Sequence, residues 1–143
     1  MTEVLRPGDL HRITDEGETR KMEELHARMQ KAEQQQREMH DAFMQWDKVR
    51  PNAMELVMRA VRNAAEQGMT EIKVMQFPSS YCTDGGRAIN NFEEGWQATL
   101  QGRAKTAMEF YKEHLQPLGY KARVEVLSFP GGMPGDIGLF LSW

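Results

Sequence analysis

The sequence predicts an α+β protein: a two-layer α/β sandwich with a small mixed sheet in helix–strand–helix–strand–strand order, preceded by a long coiled-coil-like helix. Three observations predict it. Helix formers run without Gly or Pro from Glu18 to Arg50. Helical and strand periodicities then alternate through residues 51–143. Finally, the turn-rich "PGGMPGD" separates two strand patterns at the C-terminal end.

These elements divide the chain into three parts. Residues 1–15 read as a flexible segment, with "LHRIT" (Leu10 to Thr14) as a candidate edge strand. Residues 16–50 read as a helical arm, and residues 51–143 as a compact α/β domain.

In the arm the apolar residues fall at steps of three and four. Met22, Met29, Gln36 and Phe43 occupy one seam position, and Leu25, Ala32, Met39 and Trp46 the other. Such a seam buries itself against a second helix, with polar Gln36 fixing register at some cost in stability. The expectation is self-association through residues 18–50, in a homodimer or a larger oligomer. The sequence leaves parallel and antiparallel pairing both open, since the flanking charges only partly favour the parallel arrangement. Pro51 should stop the helix, because it lacks an N–H and disfavours helical geometry at Arg50.

Each domain element has its own signal. Asn52 and Glu55 have capping-box spacing before the apolar face Met54, Val57, Met58, Val61, Ala64 and Ala65. "EIKVMQF" carries apolar groups on both faces, as an interior strand does. A second helix is predicted from Gly95 to Leu115, striped by Trp96, Leu100, Ala104, Ala107, Met108, Tyr111 and Leu115. "YKARVEVLSF" alternates cleanly, and "IGLFLSW" places Ile137, Leu139, Leu141 and Trp143 on one face. The first and second strands, joined through a helix, are expected to run parallel, and the last two to pair antiparallel.

The chemistry-bearing residues gather in one connection, residues 78–95. It is long for a strand-to-helix loop, and it leaves the end of a strand where open sheets place ligands. It contains "CTDGGRAINN". Adjacent glycines can turn backbone N–H groups toward an anion, and an arginine fork matches a carboxylate or phosphate. Cys82, Asp84, Gly85, Gly86, Arg87, Asn90 and Asn91 are therefore candidate ligand-binding residues. Asp136 joins them if the loop at 130–136 meets this one. The competing reading is a structural turn, since Asp-Gly and paired Asn or Gly also build ordinary loops. No phosphate-cradle motif is matched. No histidine is placed beside Cys82 by sequence, which favours a buried, inert thiol over a nucleophile. No Cys/His cluster has metal-ligand spacing. No catalytic residue and no cofactor follow from the sequence.

Composition narrows the classes further. The formal net charge is -3, and residues 1–50 and 51–143 carry nine basic groups each, against eleven and ten acidic ones. That even spread disfavours a nucleic-acid partner, which needs clustered positive charge. One cysteine, no apolar leader and no long apolar run predict a cytoplasmic protein without a membrane partner. A protein partner fits the same composition.

Overall fold

The computed structural model describes residues 2–143. They divide into two compact units, one ending at Asp41 and the other covering Ala42–Trp143.

Helix α1 spans Pro7–Met44, 38 residues, or about 57 Å at 1.5 Å per residue. It starts earlier than the periodicity suggests. Pro7 suits the first helical position, where its missing N–H would have no partner. Asp9 lies in the first turn and accepts the Arg6 N–H at 3.0 Å. Leu10 to Thr14 are consequently helical, which corrects the edge-strand reading. The helix also ends earlier than Pro51. Phe43 packs its ring against Phe77 at 5.5 Å and Tyr81 at 4.8 Å. Trp46 lies beyond the helix, and its carbonyl accepts the Thr106 hydroxyl at 2.9 Å. Tertiary packing overrides helix propensity over the last six residues before Pro51. Phe43 and Trp46 thus belong to the second unit, not to a free seam.

Within that unit, α2 (Ala53–Glu66) precedes β1 (Glu71–Pro78). Asn52 starts α2 through its carbonyl, which accepts the Leu56 N–H, while its side chain makes no capping bond. A short helix, α3 (Arg87–Asn90), lies in the long loop. The predicted helix from Gly95 is broken in three: a 3-10 stretch at Glu94–Thr99, α4 (Gly102–Phe110) and a π-helical turn at Tyr111–Leu115. β2 (Lys121–Val126) and β3 (Asp136–Ser142) complete the chain.

The α+β class and the element order stand, but the sheet is not mixed. Its order is β1-β3-β2, and β3 pairs antiparallel with both neighbours. β1 and β2 do run in the same direction, as a crossover requires. β3 has entered between them, so no parallel pair forms. β3 suits the central place because Ile137, Leu139 and Leu141 are all buried. Those three meet Ala122, Val124 and Val126 of β2 on one side and Ile72, Met75 and Phe77 of β1 on the other. The register between β1 and β3 slips between Lys73 and Met75, leaving Val74 as a bulge.

On the opposite face one cluster ties all three strands. Arg123 of β2 donates to both carboxylate oxygens of Glu71 on β1 at 2.6 Å and stacks over Phe140 of β3 at 4.2 Å. That pairing holds the Glu71 carboxyl below its usual range. The buried core on the helix side joins Phe77, Cys82, Ile89, Leu100, Met108 and Ile137.

Candidate functional site

The two glycine-rich loops do meet. The Ser79 hydroxyl donates to the Pro134 carbonyl at 2.7 Å, and the Ser79 N–H donates to the Gly135 carbonyl at 2.8 Å. Their meeting is closed by protein. Asp84 turns both carboxylate oxygens inward, accepting the N–H of Gly86 at 3.0 Å and of Ala88 at 2.9 Å. Its carboxylate therefore closes the turn that leads into α3, whose N-cap position is Gly86, and satisfies one N–H of the first helical turn. Gly86 has φ 86° and sits against Ser79 and Ile137. Gly85, at φ 69°, faces open space. Asn90 and Asn91 close α3 through backbone N–H bonds to Gly86 and Arg87. Asp136 belongs to the outer side of the sheet, where it accepts the Gln76 amide at 3.1 Å. Arg87 is exposed, and no ion pair joins it to Asp84 or Asp136 among the described residues.

Cys82 lies in the core, 4% exposed. Burial pushes its thiol up to about 11; a hydrogen bond with Thr99 only partly offsets this, and the nearby Asp84 carboxylate adds to the rise. The thiolate is thus scarce at neutral pH, and the geometry is that of a packing cysteine. The folded protein should resist alkylation by iodoacetamide at pH 8 and react promptly once unfolded in urea. Fast labelling of the native protein would show an accessible thiolate instead. Because the folded thiol binds its proton more tightly than the unfolded one, this group supports the fold fully below about pH 9. That support fades as pH rises toward about 11.

A second feature, which sequence reasoning missed, is a cavity of about 230 Å³ within the Ala42–Trp143 unit. One wall is the sheet, at Val74, Met75, Leu139 and Leu141. Another is α2, at Ala53, Leu56 and Val57, and a third is α4 with the π turn, at Ala107, Phe110, Tyr111 and Leu115. Trp46, Val49, Arg50, Arg103, Thr106, Met108, Ala122 and Phe140 complete the lining. Two backbone irregularities border it, the bulge at Val74 and the π turn at Tyr111–Leu115. Both kinds recur beside functional sites, because each re-aims side chains without ending its element.

The polar groups inside are already engaged. Thr106 donates to Trp46, and the Tyr111 hydroxyl donates to the Tyr120 carbonyl at 2.8 Å. Charge enters only with Arg50 and Arg103, whose guanidinium carbons lie 5.9 and 5.1 Å from the Trp46 ring. A guanidinium over an indole face is a favourable cation–π contact. One signal for this site was present in the sequence: a tryptophan followed within five residues by Arg-Pro, where a plain helical arm would continue.

Among the described residues, no group of three or more His, Cys, Asp or Glu side chains could hold a metal ion, and no helix is long and apolar enough to cross a membrane. Comparison with protein-family models, with curated proteins and with solved structures finds no match to this chain.

Proposed function

We propose that the protein is a cytoplasmic homo-oligomer, assembled as a coiled-coil dimer through α1, which brings copies of a ligand-binding α+β domain together. The observation that carries this reading is the exposure of the seam. None of the residues of α1 is buried, and Met22, Leu25, Met29 and Met39 are 68, 52, 55 and 68% exposed. Long helices in proteins draw most of their stability from packing an apolar face. Ala32 and Gln36 continue the same row.

The seam starts at Met22. Leu10 and Ile13 are exposed as well, but each precedes its seam counterpart by twelve residues. At 3.6 residues per turn that puts them about 120° around the helix. With Phe43 and Trp46 engaged elsewhere, the seam runs from Met22 to Met39.

Full-length protein at about 50 µM, well above a micromolar Kd, should sediment as a dimer or larger, and Leu25→Glu should sediment as a monomer. A buried unpaired carboxylate in the seam costs several kcal/mol. Gln36→Leu should tighten association by removing the polar layer. A wild-type monomer under these conditions would end the coiled-coil reading. Normal association of Leu25→Glu would move the contact to another surface.

A further inference from the structure

We propose that the cavity between the sheet, α2 and α4 binds a compact apolar molecule bearing one carboxylate, with the apolar part inside and the carboxylate at Arg103 and Arg50. The reasoning starts from volume. An apolar cavity of about 150 Å³ stays dry and takes benzene. This one, at about 230 Å³, has room for a ring or branched chain and a short linker.

The lining sets the chemistry of the buried part. Val57, Met75, Ala107, Met108 and Leu139 offer no hydrogen bond, and Thr106 and Tyr111 have donated theirs to backbone carbonyls. A sugar or a nucleotide base would lose its water there and gain no partner, a penalty of about 1–3 kcal/mol for each unsatisfied group.

Charge sets the head group. Two guanidinium groups flank one indole, and neither has a carboxylate within 4.0 Å among the described residues. Acidic side chains do stand nearby. Asp47, Glu109 and Glu113 line an adjoining groove together with Arg50 and His114. Arg103 does not line that groove, so it is the principal anchor and Arg50 the secondary one. A planar carboxylate suits the guanidinium fork.

This site does not depend on assembly through α1, so its test uses full-length protein whatever its oligomeric state. The probes are 4-phenylbutyrate, its uncharged amide and acetate. Binding is followed by calorimetry and by NMR of labelled methionine methyl groups. Met75 and Met108 line the cavity, whereas the exposed Met69 and Met133 do not.

Phenylbutyrate should shift Met75 and Met108 and leave Met69 and Met133 in place, the amide should bind at least about tenfold more weakly, and acetate should not bind. A hydrogen bond to a charged group contributes about 1.5–3 kcal/mol, which is tenfold or more in Kd. Arg103→Gln should remove the advantage of the acid over the amide and leave amide binding within about twofold, and Arg50→Gln should have the smaller effect. Ala107→Leu, filling the cavity, should abolish both. If that variant folds poorly, the methionine shifts in the wild-type protein still report the site. Equal binding of acid and amide, shifts at Met69 or Met133 only, or no binding by either aryl probe at millimolar concentration would each overturn the proposal.

Discussion

Gly102→Val leaves the Ala42–Trp143 unit largely unfolded, and Gly102→Ala lowers its stability by about 2–4 kcal/mol, a large share of the ~5–15 kcal/mol that holds a typical domain. Two separate effects add. Gly102 has φ 55°, a region that costs a residue with a side chain about 1–3 kcal/mol. A Cβ there would also run into the Phe43 carbonyl oxygen and come within 2.7 Å of the Met44 Cα. These are backbone atoms, so no rotamer change relieves the clash. Two other glycines separate the effects. Gly95 lies outside the positive-φ set and has open space around it, so Gly95→Ala should stay within about 0.5 kcal/mol of wild type. Gly119 has φ 100° and open space, so Gly119→Ala should show the conformational cost without the clash. Urea unfolding of the three alanine variants should rank them Gly95, Gly119, Gly102. Equal midpoints for Gly119→Ala and Gly102→Ala would mean that the approach of Phe43 contributes nothing.

That approach explains much of what periodicity could not show. The stripe from Trp96 to Leu115 reads as one helix because its 3-4 spacing is unbroken. The chain nevertheless leaves helical geometry at Leu100 and Gln101 and restarts at Gly102, where the end of α1 touches it backbone to backbone. No local signal marks a contact between residues 43 and 102. The same limit hides the sheet order. Each strand announces itself through alternation or a continuous apolar run. Whether β3 lies beside β1 or at the edge is decided by Ile137, Leu139 and Leu141 finding apolar neighbours on both sides.

Local chemistry was easier to read. Asp84-Gly85-Gly86 was legible as a turn, and the hydrogen bonds its Asp84 carboxylate accepts are what such a turn uses. The candidate cavity was illegible for a physical reason. Its walls come from residues 46–57, 74–75, 103–115 and 139–141, plus Ala122, and none of these segments looks unusual until the others surround it.

The seam itself contains the sharpest remaining test. Phe43 and Leu25 have the same kind of heptad neighbours, so the sequence treats Phe43→Glu and Leu25→Glu as equivalent ways to break an assembly. The structure makes them different experiments. Leu25 is 52% exposed on α1; Phe43 is half-buried, with its ring tilted 42° to Phe77 and 53° to Tyr81. Aromatic contacts of this geometry contribute about 0.5–1.5 kcal/mol beyond the area they bury. Removing a core phenylalanine costs about 3–5 kcal/mol. Phe43→Ala should therefore lower domain stability by about 3 kcal/mol, at the low end because the ring is partly exposed. Phe43→Glu should cost more, since its carboxylate would face Phe77, itself 3% exposed. Leu25→Glu should leave the urea midpoint of the domain unchanged. The test measures midpoint and sedimentation on all three variants. If Phe43→Glu kept the wild-type midpoint and lost only association, Phe43 would be a seam residue after all and α1 would continue as the sequence first suggests. A lowered midpoint for both Phe43 variants, beside a normal one for Leu25→Glu, places the end of the seam at Met39 and gives Phe43 to the core.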